Sequence, residues 1–196
     1  MSLPTYEIHA IKYAWRDAKR TNHFVGGDPH DASMPMDYFV WLVRNAERTI
    51  VIDTGFNQAM ADKRKRVFIR QPAEGLALLS AASDVYKRHE LAPGISIHHI
   101  GGHTMGLQCV RVHTARGWVV VASDTSHYYE HFEQGRVFAT TFHLGQTLDG
   151  YARLKQLADS VKHIVPGHDP LVMERYPASS PALKGIAVRL DEEPND

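Results

Sequence analysis

The sequence predicts an α/β fold in which short apolar strands alternate with helical stretches and ligand-type side chains sit on the loops where strands end. Three observations carry this. Residues 95–124 read as strand, glycine-rich loop, strand, tight turn, strand and acidic residue. Two apolar runs, Tyr38–Val43 and Thr49–Asp53, flank the polar turn 44–48. From Thr147 to Val161, the side chains Leu148, Tyr151, Leu154, Ala158 and Val161 recur at helical spacing.

Taken in order, Tyr6–Tyr13 alternates and predicts a half-buried first strand, with His9 on its polar, solvent-facing side. Residues 16–35 are polar, with Gly26-Gly27-Asp28-Pro29 as a loop signal. His23 and His30 are expected at the surface there. Tyr38–Val43 and Thr49–Asp53 form a hairpin that feeds a buried sheet. Asp53, before Thr54-Gly55, is expected to cap its own turn. Gln71–Leu79 begins as a helix with proline in its first turn.

In the central stretch, Ile95 and Ile97 share one face of a strand, and Gly101-Gly102 break it to place His103 on a loop. Leu107–Val112 and Trp118–Ala122 are further strands, the latter ending at Ser123-Asp124. Thr125 to Tyr129 enters a short polar segment, with Tyr128 and Tyr129 as packing residues. Thr147 is the expected N-cap of the long helix. His163–Val165 is a short strand leading into Pro166-Gly167-His168-Asp169, and the tail from Asp191 to Asp196 is expected to fray.

With 196 residues the chain is expected to form one domain, spanning 1–196, with a real core. Lys plus Arg and Asp plus Glu are 22 each, so the net charge is zero, against a nucleic-acid binder. The one basic cluster, Lys63-Arg64-Lys65-Arg66, reads as a solvated face, since no aromatic residues interleave it. A single cysteine, Cys109, excludes an internal disulfide and is expected to be a buried, inert thiol. No apolar run approaches a membrane span and no signal peptide opens the chain; Met1-Ser2-Leu3 reads as an expression-vector leader. The expectation is a soluble, cytoplasmic protein with a small-molecule substrate, no nucleic-acid or membrane partner, and a homodimer as an open option.

Gly-Gly-His-Thr-Met-Gly at 101–106, Ala-Ser-Asp at 122–124 and Val-Pro-Gly-His-Asp at 165–169, preceded by Val-Ile-Asp-Thr-Gly at 51–55, resemble the metallo-β-lactamase-fold hydrolases. Within them the N-acyl homoserine lactonase branch is the most similar. Each motif alone is weak; the four in this order are fairly specific, and the resemblance spans about Tyr6 to Pro177. It implies an αββα four-layer sandwich, helices outside two facing mixed sheets. One departure stands out. The family's His-x-His-x-Asp-His motif is absent, so a central segment near residues 80–90 is missing from the pattern. Either the chain truly lacks it, or the protein carries residues there that this sequence leaves out.

Carried over position by position, the resemblance makes His103 and His168 metal-ligating histidines and Asp124 a ligand that bridges two metals in the family and takes part in catalysis. Imidazole and carboxylate suit zinc or a similar divalent ion. His127 stands where the family often has a substrate-contacting tyrosine, and Phe24 falls in a segment that walls the pocket there. The function implied is a zinc-dependent hydrolase acting on a lactone or other ester carbonyl through hydroxide. Two ions are expected only if the absent motif exists; otherwise three ligands remain, a number that can hold one catalytic zinc. They come, however, from half-sites that serve different ions in the family, and the chain then reads as an inactive remnant or binding module with at most one weak metal site. The alternatives are an inactive or ligand-binding relative, and a thioester or phosphodiester hydrolase on the same scaffold.

Overall fold

A computed structural model describes residues 2–80 and 90–195. The expected gap near residues 80–90 falls largely on 81–89, outside the described residues. The chain forms β1 (Glu7–Arg16), β2 (Met36–Arg44), β3 (Thr49–Ile52), α1 (Gln58–Lys63), β4 (Val67–Phe68), α2 (Pro72–Ala77) and β5 (Glu90–Ala92). There follow β6 (Ile95–His99), β7 (Gln108–Thr114), β8 (Gly117–Val121), α3 (Tyr129–Gln134), α4 (Leu144–Leu157), β9 (Ile164–Val165), α5 (Leu171–Arg175) and β10 (Ala187–Arg189).

The described residues form two five-stranded sheets. The first runs β10-β1-β2-β3, with β4 paired to β1; the second runs β5-β6-β7-β8-β9. All pairs are antiparallel except β8 with β9. The run Tyr38–Val43 is continuously apolar because its strand is covered on both faces. Phe39, Trp41 and Val43 pack with Val110, Val112, Val119 and Val121 of the facing sheet. Val40 and Leu42 turn the other way, onto Leu76 of α2, Leu79 and Leu183. On the far side Tyr151, Leu154 and Leu157 of α4 join the inter-sheet core. Helix, sheet, sheet and helix therefore stack as expected.

Several local expectations change. His9 is buried, not solvent-facing: its Nδ1 pairs with Ser179 Oγ at 2.8 Å, because β10 and the segment before it cover that face of β1. His23 is buried too, against Tyr128 and the Met34 carbonyl, while His30 is exposed as expected. Phe24 is packed edge-on against His131 and is 2 % exposed, so it is a core residue here. Helix α4 starts three residues before Thr147, with His143 as its N-cap accepting the Gln146 N–H, and it ends at Leu157. The tail is anchored at Asp191, which is buried and accepts the Ile8 N–H at 3.0 Å. Cys109 is fully buried, and burial pushes its thiol up to about 12, as an inert thiol requires. Among the described residues no helix is long and apolar enough to cross a membrane.

Candidate metal centre

The candidate ligands sit on three loops at one end of the inter-sheet core, and backbone contacts lock these loops together. Gly167 N–H donates to the Ser126 carbonyl at 2.9 Å and His168 N–H to the His127 carbonyl at 3.0 Å, so the loop after β9 runs beside the loop after β8. A Cβ on Gly167 would meet the Ser123 carbonyl oxygen at 2.5 Å, so only glycine permits this approach. The third loop, after β6, is held at Gly102, whose carbonyl accepts the Phe142 and His143 N–H groups. A Cβ there would lie 2.5 Å from Thr147 Oγ1 of α4, and the residue has φ +87°. Thr147, expected as a cap, is thus the surface against which the His103 loop packs.

The loops bring all four sequence-singled residues to one place. Asp124 Oδ1 lies 2.8 Å from His168 Nε2 and 3.3 Å from His127 Nε2, and Asp124 Oδ2 lies 3.9 Å from His103 Nε2. Ligand atoms of Asp124, His127 and His168 all fall within 4.8 Å of one another. His127, read from the sequence as a substrate contact, is therefore placed among the potential ligands. It is i+3 from Asp124 on a tight turn, a spacing that was visible without the structure.

Each ring is oriented by its surroundings. His168 Nδ1 donates to the Asp37 carbonyl at 2.8 Å while Asp37 N–H donates back to the His168 carbonyl at 2.9 Å. This two-way clasp to the start of β2 fixes the tautomer that turns Nε2 toward Asp124. Tyr38 packs edge-on against the same ring at 4.9 Å. His127 stacks on Phe138 at 3.9 Å. His103 is the least committed: its Nδ1 is buried without a hydrogen-bond partner among the described residues, and 3.9 Å from its Nε2 to the carboxylate exceeds hydrogen-bonding distance.

Electrostatics follow from burial and pairing. Burial opposes ionisation of Asp124, but hydrogen bonds from His127 and His168 outweigh it and hold the carboxyl well below its usual range. Burial pushes His127 down to about 4 despite Asp124, so it is neutral at pH 7. Burial also works against a charged His168, yet Asp124 and the Asp37 carbonyl raise it above its ordinary value. An ionised carboxylate facing three imidazole nitrogens is a donor set of zinc type, and a cation between them would give His103 Nε2 the partner it lacks. The residues fit a single divalent ion. Among the described residues no other such group of ligands occurs.

Beside the centre lies a cavity of about 530 Å³ walled by Tyr13, Tyr38, Trp41, Phe56 and Arg64, with Asp124 and His168 at its wall. Asp53 lines it as well, and its Oδ1 accepts the Thr54 and Gly55 N–H groups, the turn cap that its sequence predicts.

No protein-family model and no curated protein sequence matches the chain. Solved structures do. A quorum-quenching N-acyl homoserine lactone lactonase superposes with TM-score 0.72 at 16% identity, over 87% of this chain and 95% of its own. A probable metal-dependent hydrolase from Staphylococcus aureus gives 0.63 at 13%, over 100% and 97%. A dizinc quorum-quenching lactonase bound to its product gives 0.56 at 14%, over 87% and 90%. The chain has the metallo-β-lactamase fold, as the order of its motifs predicts.

Proposed function

We propose that the chain is a metal-dependent hydrolase of ester or lactone carbonyls that works with one divalent ion, zinc by the character of its ligands. The observation that carries the proposal is the convergence of three imidazole nitrogens on the ionised Asp124, beside a cavity of substrate size. The likeness to lactonases and to a metal-dependent hydrolase supports the reaction class.

His103, Asp124, His127 and His168 would hold the ion, which when bound polarises a carbonyl oxygen and lowers the pKa of water. Asp124 supplies the negative charge that balances it. His127 is neutral at pH 7 and its Nε2 donates to Asp124, so that proton leaves when Nε2 becomes a ligand. His168 is kept in register by the Asp37 carbonyl, and the proton its Nε2 shares with Asp124 leaves when that nitrogen becomes a ligand. Tyr13, Tyr38, Trp41 and Phe56 wall the substrate and exclude bulk water. In the reaction the water oxygen joins the carbonyl carbon, the acyl C–O bond breaks, the alkoxide takes a proton, and the acid formed loses one to solvent.

The test is hydrolysis of a lactone and ester panel by the zinc-loaded chain. Chelation or Asp124→Ala should each cost more than about 100-fold, beyond the 10–100-fold typical of groups outside the ligand set. Added zinc should restore the chelated wild type and not the variant. A folded, zinc-replete chain that hydrolyses nothing would sink the proposal and favour a ligand-binding relative.

A further inference from the structure

The basic run Lys63-Arg64-Lys65-Arg66 is exposed over its first three residues, as a solvated face requires, and it also borders the candidate centre. It closes α1 and turns beside the candidate centre, so that Arg64 lines the same cavity as Asp124 and His168. Arg66 holds this turn in place: its guanidinium lies over the Tyr38 ring at 5.6 Å and donates to the Arg64 carbonyl at 2.7 Å. Tyr38 in turn packs on His168. The run is thus coupled through two rings to the candidate centre.

None of the four cations makes an ion pair with a described residue. Lys12, Arg20, Arg44, Arg136 and Arg189, by contrast, are each paired. Of the carboxylates nearest in sequence, Asp62 is engaged by Gln58 Nε2 at 2.7 Å, and Asp53, which lines the same cavity, accepts two N–H groups of its own turn. A six-residue helix gains from one cation at its C-terminal end, which Lys63 supplies. Four adjacent like charges without partners cost repulsion in a chain whose net charge is zero. A neutral lactone makes no use of them.

We infer that the substrate is an ester bearing a second, anionic group, a carboxylate or a phosphate, which Arg64 and its neighbours bind at the cavity wall while the ester faces Asp124 and His168. This rests on the hydrolase reading above. A guanidinium presents paired N–H donors that match either oxyanion. Lys63 and Lys65 add a field that draws the anion in and weakens with salt.

The test compares monomethyl glutarate, methyl 4-phosphonobutyrate and dimethyl glutarate as substrates of the zinc-loaded full chain. Binding of glutarate and of inorganic phosphate to the metal-free chain is followed by calorimetry in parallel. The inference expects at least one anionic ester to exceed the neutral diester in kcat/KM by about tenfold or more, and the better of the two identifies carboxylate or phosphate. Arg64→Gln should lower that ratio about tenfold, through KM, and weaken binding of the matching anion by a similar factor. Arg64→Lys should recover part of both, and 0.5 M NaCl should erode the preference. A neutral diester turned over as well as the anionic ones, or anion binding unchanged in Arg64→Gln, would overturn the inference. If no ester is cleaved yet anion binding depends on Arg64, the hydrolase reading fails and the anion site stands.

Discussion

At the scale of single residues, what a side chain does here depends on what covers it. The sequence places His9, His23 and Asp191 outside the core by the rule that polar residues face water. All three are buried, because segments distant in the chain fold over them: the Ser179 segment over His9, the Met34 segment over His23, and β1 over Asp191. No local pattern encodes such coverage. The loop positions of His103, Asp124 and His168 were legible because motifs carry them whatever the packing, whereas His127, read as a substrate contact, lies among the potential ligands. Asp191 gives a residue-scale prediction. Its carboxylate accepts the Ile8 N–H and pairs with Arg189, which together outweigh burial and lower its pKa below the ordinary value. A lowered carboxyl pKa contributes stability that is full above the unfolded value near 4 and is lost as pH falls through the folded value. Asp191→Asn should therefore cost about 1–3 kcal/mol at pH 7. In guanidinium titrations the gap to wild type should close at acid pH. A gap equal at both pH values would show that charge plays no part.

At the scale of elements, the strands were read well and the helix ends less so. Tyr38–Val43, the Thr49 strand and the three strands from Ile95 to Ala122 occur within a few residues of expectation, because apolar runs bounded by turns have few other solutions. Helix α4 begins early because His143, outside the usual capping set, accepts the Gln146 N–H. It stops at Leu157, and Asp159 turns instead to accept the Trp118 N–H of β8. The loops matter more than these boundaries, since they set the site. Gly167 touches backbone at Ser123, which cannot yield as a side chain can, and Ser123 already holds φ 50°. Gly167→Ala should push His168 away from Asp124 and weaken zinc binding about tenfold or more, by analogy with lost ligand support. Gly106→Ala, where an added Cβ meets nothing within 4 Å, is the matched control and should bind zinc as wild type does. Equal affinities in competition titrations with a chromogenic chelator would refute the assigned role of the glycine.

At the scale of the molecule, the order of four motifs along the chain was enough to read the fold, through their resemblance to the metallo-β-lactamase-fold hydrolases. The number of ions was not legible, because it depended on whether ligands missing from the motif pattern were supplied elsewhere. The ligand-type side chains of the described residues now answer with one group, Asp124, His127 and His168, with His103 beside it. Among the described residues the first sheet ends at β3. One group predicts one ion. The purified chain, saturated with zinc and then freed of excess, should retain close to one equivalent by elemental analysis. An ion that binds the folded state alone stabilises it by about 2.7 kcal/mol at a free concentration of 100 Kd. For a chain of this length that corresponds to a rise in Tm of roughly 5–11 °C. Asp124→Ala should abolish most of that rise, measured against the variant's own metal-free Tm, which should itself fall below wild type because the carboxylate pairs with His168 and His127. Retention of two equivalents with equal affinity would mean that a second ligand set forms, and the single-ion reading would then give way to a two-ion one.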